Sequence, residues 1–239
     1  MRDQISRSIF LIATFVAFAT GGCTKSRQEH DAQQLAARVR SEFLHAWKNY
    51  ERYAWGHDAL RPLAKTAHDW YGQSLLMSPV DALDTLILMK LDIDANKTRE
   101  LIVNDLSLDR DIYVKNFEIT IRLLGGLLSS YQLTGDKRLL ALADDLGKRL
   151  LPVFNSPTGL PYVMVNLHSG KVRNPISNPA ETGTLLLEFG TLSKLTGDAI
   201  YYAKRNVRWS RHSNAARQLA SSDPASMSKP ACGPIPTVT

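Results

Sequence analysis

The chain reads as an all-α protein built from helix hairpins, on three observations. Large apolar residues recur every three or four positions through most of the body, which puts them on one helical face. Sustained two-residue alternation is absent except over Tyr162–Leu167, a short extended piece in a Gly/Pro-rich connection. One turn sequence, Leu-Thr-Gly-Asp, occurs twice, each time after an apolar helical segment.

The elements follow in order. Leu35, Val39, Phe43, Trp47, Tyr50 and Ala54 mark a first amphipathic helix. Ser78-Pro79-Val80-Asp81 opens a second, with Ser78 as N-cap, Pro79 in the first turn and Asp81 placed for the helix dipole. It continues through Leu83, Leu86, Ile87 and Met89 to Lys90. A third spans about Asn116 to Gln132, a fourth Lys137 to Leu151 before Pro152, and a fifth about Pro179 to Lys194. Leu133-Thr134-Gly135-Asp136 and Leu195-Thr196-Gly197-Asp198 lie 62 residues apart. In both, glycine supplies the C-terminal turn and another helical segment follows. Repeated helix, turn, helix units stack side by side, as a solenoid or as a closed α/α toroid.

The net charge of +6 over 239 residues suggests a nucleic-acid binder until it is mapped. Residues 1–27 carry +3 and residues 204–239 carry +5, which leaves the body at −2. The basic character therefore belongs to the ends and not to a binding face, which argues against nucleic acid. Arg2 and Arg7 precede an apolar run from Ile9 to Ala19, then small residues and Cys23. The run is too short for a comfortable membrane span and has the layout of an export signal. It resembles a bacterial lipoprotein signal with Cys23 as the lipidated residue, although Thr20 stands where that motif usually has an aliphatic residue. Plain secretion and an uncleaved anchor are the alternatives. The expectation is an exported, membrane-anchored protein on the periplasmic or extracellular face. Once Cys23 is set aside only Cys232 remains, so no internal disulfide is expected.

The third helix carries the chemistry. Within Phe117–Ser129, Glu118 and Arg122 lie one helical turn apart in otherwise apolar surroundings. A carboxylate so placed is either locked in an ion pair or shifted toward the protonated form that a catalytic acid needs. No phosphate-binding glycine loop, HExxH or GxSxG occurs, and His45, His57 and His68 lack metal-ligand spacing. Trp55, His57 and Asp58 follow an aromatic-rich helix. They suit either a stacked core or a sugar-binding surface.

Seven spaced motifs give a more specific reading. They are His45–Tyr50, Tyr53–Asp58, Val80–Leu86, Phe117–Ser129, Leu150–Pro152, Pro157–Tyr162 and Ala180–Thr184. In this order they resemble glycoside hydrolase family 47, the class I α-1,2-mannosidases, from about Ser41 to Tyr201. The resemblance implies a partial (α/α)7 barrel, inverting hydrolysis of terminal α-1,2-linked mannose in mannosyl-oligosaccharides, and a calcium ion at the barrel base. It matches Glu118 to the proposed general acid, Arg122 to the basic residue beside it and Glu181 to a carboxylate of the sugar subsite. Asp81 and Asp84 fall at the start of a barrel helix near the sugar and are candidate substrate ligands. Glu188, seven residues after Glu181 on the same face, is either a second lining residue or a polar residue capping a core helix. Family members are about twice this long, and their remaining catalytic carboxylates and calcium-ligating threonine lie in the half not matched here. No metal ligand is therefore assigned within this chain.

The organisation expected is a signal over 1–23, a linker and helix start over 24–40, a partial catalytic domain over 41–201, and a divergent tail over 202–239. A truncated mannosidase, weak or inactive alone, is the first reading. An inactive or sugar-binding remnant and a helical-repeat interaction scaffold are the alternatives.

Overall fold

In the computed structural model, residues 30–203 apart from residue 158 are described. The expected export signal with Cys23, the expected tail over 202–239 apart from residues 202 and 203, and Cys232 lie outside the described residues. The chain divides into two compact units, one ending at His68 and one beginning at Asp69.

The first unit holds helix α1, helical over the described residues 30–54. Its periodic residues Trp47, Tyr50 and Ala54 are buried, whereas Leu35 and Val39 at its start are exposed. The Trp47 and Tyr50 rings stack at 5.2 Å, and Trp55 meets Trp47 edge-on at 6.1 Å. The Tyr50 hydroxyl donates to the His57 carbonyl, which ties the helix to the turn after it. Trp47 and Tyr50 thus form a stacked core with Asp58 also buried, whereas Trp55 is half-buried and His57 exposed. A hairpin follows, in which β1 (Ala59–Arg61) pairs antiparallel with β2 (Thr66–His68).

The second unit is mainly helical. Helix α2 (Met77–Leu88) packs on α3 (Asp92–Asp105) and on α5 (Gly125–Thr134). Helix α5 packs on α6 (Lys137–Leu150), and α6 on α8 (Leu186–Thr196). Between them run β3 (Tyr113–Lys115), α4 (Asn116–Ile119), a π-helical turn (Thr120–Leu124), β4 (Met164–Asn166), β5 (Val172–Arg173) and the short α7 (Pro179–Gly183). The strands form one antiparallel sheet in the order β3-β4-β5, with Val114 opposite Val165 and Val165 opposite Val172. Leu83, Leu86, Ile102, Leu123, Leu127, Leu146, Phe154 and Phe189 are fully buried in this unit.

Both Leu-Thr-Gly-Asp turns close by the same hydrogen bonds. Gly135 and Gly197 take positive φ, 72° and 76°, and donate to the Tyr131 and Ser193 carbonyls. The hydroxyls of Thr134 and Thr196 donate to the carbonyls of Ser130 and Leu192 and accept from the amides of Asp136 and Asp198. Each aspartate then accepts from the amide two residues on, Arg138 or Ile200. One tetrapeptide thus ends a helix and caps the next.

Several elements depart from the expected pattern. Helix α2 begins at Met77, so Ser78 and Pro79 are already helical and no side chain caps it. Leu75, Leu76 and Met77 are all buried, and packing of that apolar trio sets the start, with Leu76 left-handed at φ 54°. Asp81 consequently falls outside the first turn. Helix α3 is not evident in the periodicity because its apolar positions are sparse and only Ala95, Thr98 and Ile102 are buried within it. The expected third helix is interrupted by the π-turn, and the fifth is divided at Thr184. The extended piece over 162–167 contains β4, whereas the other strands, three residues or fewer, are too short to show alternation.

Candidate active site

Glu118 sits three residues beyond the end of β3, in a helix whose Asn116 amide donates to the Val163 carbonyl. The sheet therefore fixes where α4 starts. Arg122 lies in the π-turn that follows, a distortion often found at functional sites. Gly125 and Gly126 come next, and Gly126 lies so close to α2 that a Cβ there would stand 2.8 Å from the Val80 carbonyl oxygen. This close approach brings the carboxylates of α2 to the π-turn.

Arg122 joins the two elements. Its Nε donates to Glu118 Oε2 at 3.1 Å and its Nη1 to Asp81 Oδ2 at 2.7 Å. The guanidinium also lies over the Trp70 ring, 4.7 Å from the centroid. Glu118 and Asp81 keep 25% and 33% of their side-chain surface exposed. The group is therefore an ion-paired cluster that solvent reaches, not a pair sealed in the core. Burial pushes the Asp81 carboxyl above the usual range, against the downward pull of Arg122, and the charges of Asp84 and Glu118 add to the rise. Burial works against the Arg122 charge as well, but its hydrogen bonds to Asp81 and Glu118 outweigh this and hold it firmly protonated.

Glu181 is placed by a second arrangement. Asn178 caps α7, its side chain accepting from the Glu181 amide at 2.9 Å. The Glu181 carboxylate accepts from Lys115 Nζ at 2.7 Å. That hydrogen bond holds Glu181 below the ordinary glutamate range, and Lys115 is raised in turn. The Lys115 charge also feels Glu118.

Asp84 differs from Asp81. Its Oδ2 accepts from the Ser129 hydroxyl at 2.8 Å and its Oδ1 from Thr85, so it bridges α2 and α5. Glu188 on α8 packs beside Gly125 and has an Oε2 that is buried without a hydrogen-bond partner. Burial raises its carboxyl above the usual range. The structure thus gathers Asp81, Glu118 and Arg122 into one hydrogen-bonded group, with Glu181 in a neighbouring ion pair. Lys115, Trp70 and Ser129 are participants that the sequence pattern does not single out. Lys115 stands directly before Asn116-Phe117-Glu118 and Trp70 directly before Tyr71, so nearness to polar residues is the available signal for both.

The sequence matches glycosyl hydrolase family 47 over residues 42–227. The chain belongs to this family. It is 45% identical over 178 residues to a mannosyl-oligosaccharide 1,2-alpha-mannosidase of Arabidopsis thaliana, covering 72% of this chain and 32% of that protein. It is 44% identical over 163 residues to the endoplasmic reticulum mannosyl-oligosaccharide 1,2-alpha-mannosidase of Mus musculus, covering 66% of this chain and 24% of that one. The solved alpha-1,2-mannosidase from Trichoderma reesei superposes with a TM-score of 0.67 at 31% identity, over 73% of this chain and 39% of that structure. The mostly helical fold is that of the family's α/α barrel. The chain spans about a third or less of the length of these curated relatives.

Among the described residues, no helix is long and apolar enough to cross a membrane. Within the same residues, no group of three or more His, Cys, Asp or Glu side chains is arranged to hold a metal ion. The described carboxylates therefore do not fit a calcium site by themselves.

Proposed function

We propose that this chain carries the acid-bearing part of an inverting α-1,2-mannosidase site, acting on terminal α-1,2-linked mannose of mannosyl-oligosaccharides. The observation that carries the reading is the solvent-reached fork of Arg122 between Glu118 and Asp81, in a chain of this family. Inverting hydrolysis requires one carboxylic acid to protonate the glycosidic oxygen and one carboxylate to activate water on the opposite face. Glu118 takes the first role. Arg122 fixes the orientation of Glu118 through Nε, and Asp81 fixes Arg122 in turn. Asp81 retains exposed surface from which to accept a sugar hydroxyl. Glu181, held ionised by Lys115, accepts hydrogen bonds from the mannose hydroxyls. Asp84 contributes by keeping α2 and α5 in register through Ser129, behind any direct contact it makes with the sugar. The water-activating base and the calcium-ligating threonine belong to the half of the family barrel that this match does not include.

Export and a lipid anchor at Cys23 complete the reading, and the endoplasmic reticulum name of the mouse relative agrees with action inside a secretory compartment. The deciding experiment joins the chain to the C-terminal half of a related family member and measures release of mannose from α-1,2-mannobiose with calcium present. Glu118→Gln in that extended chain should lower the rate by about 10²–10⁴-fold. An unchanged rate would return Glu118 to a structural partner of Arg122.

A further inference from the structure

The last residue of β3 does more than end a strand. The backbone around Lys115 is rigid: Val114 beside it is fully buried, and Lys115 itself pairs with Met164 across the sheet. Its side chain leaves the sheet past the Phe117 ring, with Nζ 5.8 Å from the centroid, and ends 2.7 Å from Glu181 Oε1. Glu181 stands on a helix of five residues in which Thr182 alone is buried. Such a short turn has little packing of its own with which to hold a carboxylate still. Asn178 secures the Glu181 backbone amide, and Lys115 secures its carboxylate. One element, β3 running into α4, thereby carries both the candidate acid and the cation that holds the candidate sugar ligand 66 residues away in sequence.

We infer that Lys115 is a positioning residue for the mannose site, aiming the Glu181 carboxylate from the same element that presents Glu118. The inference rests on the sugar-binding role given to Glu181 above. Lys115 keeps about a third of its side chain exposed and Glu181 about a fifth, so the pair is neither sealed nor free. Its worth lies in orientation more than in fold stability. The groups that act on Glu181 are Lys115 and Asn178, and those that act on Lys115 besides Glu181 are Glu118 and Tyr71.

The test uses the full chain labelled with carboxyl-¹³C glutamate. The resonance that disappears in Glu181→Gln belongs to Glu181, and its titration is followed in the wild type, Lys115→Met and Lys115→Arg. In the wild type it should titrate below the ordinary glutamate range, return to that range in Lys115→Met, and stay low in Lys115→Arg. Far-ultraviolet circular dichroism should be alike in all three. α-1,2-Mannobiose should shift the Glu181 resonance in the wild type and bind about two- to fivefold more weakly to Lys115→Met, the range of a partly exposed ion pair. Lys115→Arg should restore most of that loss. A Glu181 titration identical in wild type and Lys115→Met overturns the inference, because no ion pair then orients the carboxylate. A mannobiose response that survives undiminished in Lys115→Met overturns the inference alone. Absence of any mannobiose response at Glu181 in the wild type overturns the sugar-binding reading and the inference with it.

Discussion

Arg122 meets three groups at once: a carboxylate on its own helix, a carboxylate on the neighbouring one, and an indole face. Lysine could keep the charge but not the planar fork that donates in two directions while lying over a ring. Arg122→Lys should therefore weaken mannobiose binding while leaving the helical circular dichroism spectrum unchanged. Trp70→Ala should lower unfolding free energy by about 0.5–1 kcal/mol, the worth of a partly exposed cation–π contact, and denaturant titration would measure it. Glu188 offers a pH test. Its folded carboxyl is raised by burial, so the fold binds its proton more tightly than the unfolded chain does. The stability it contributes is fully present below the ordinary glutamate value of about 4.3 and is lost as pH rises through the raised folded value. The difference in melting temperature between wild type and Glu188→Gln should move in favour of the wild type as pH falls from neutral toward that range. A difference independent of pH would mean that Glu188 is not held protonated by its surroundings. Legibility at this scale follows sequence distance. Glu118 and Arg122 can be paired from the sequence because four positions of helix join them. The Asp81–Arg122 and Lys115–Glu181 contacts span 41 and 66 residues, and nothing local encodes them.

Helix ends and close approaches decide how the elements are placed. Gly126→Ala would put a methyl group against the Val80 carbonyl and side chain. Because backbone cannot yield as a flexible side chain can, a loss of about 1–3 kcal/mol is expected, as for overpacked cores. Thermal unfolding measures that loss. The same shift should disturb the approach of Asp81 to Arg122, so mannobiose binding should fall further than stability alone explains. Asp136→Ala removes the cap of α6 and should cost about 1 kcal/mol. Asp136 also meets Arg138, which reaches Glu100 on α3, so the cap belongs to a surface network as well. The Leu-Thr-Gly-Asp turns are readable because glycine at positive φ and aspartate at an N-cap are local requirements, met within four residues. The start of α2 is not, because burial of Leu75, Leu76 and Met77 outweighs the capping pattern at Ser78. The π-turn is also hidden, since its residues suit an α-helix equally well and the close packing at Gly126 is tertiary.

Activity belongs to the whole molecule. The repeated turn is enough to indicate stacked hairpins, and the net charge of −2 left to the body once the two basic ends are set aside gives no basic face to expect there. Neither feature bears on how far a chain spanning so little of its relatives can act alone. Several large apolar side chains stand in solvent, among them Ile93, Ile176 and Leu187 at 85%, 89% and 75% exposure. Exposed residues of this size are a liability for self-association when they gather into patches. The isolated chain should accordingly bind a hydrophobic dye more strongly than the same chain joined to the C-terminal half of a relative. Catalysis should follow the same division. On the assignment proposed above, the candidate acid, its arginine and one candidate sugar ligand fall in this chain and the base does not, and an acid without a positioned base leaves the attacking water inactive. Loss of either proton-transfer group typically costs about 10²–10⁴-fold, and loss of the shaped site adds to that. The chain alone should therefore release mannose from α-1,2-mannobiose slowly or not at all with calcium present, and the joined form should recover the rate. Full activity of the isolated chain would mean that a second carboxylate within residues 42–203 serves as the base, with Glu188 and Asp81 the first two to replace by their amides.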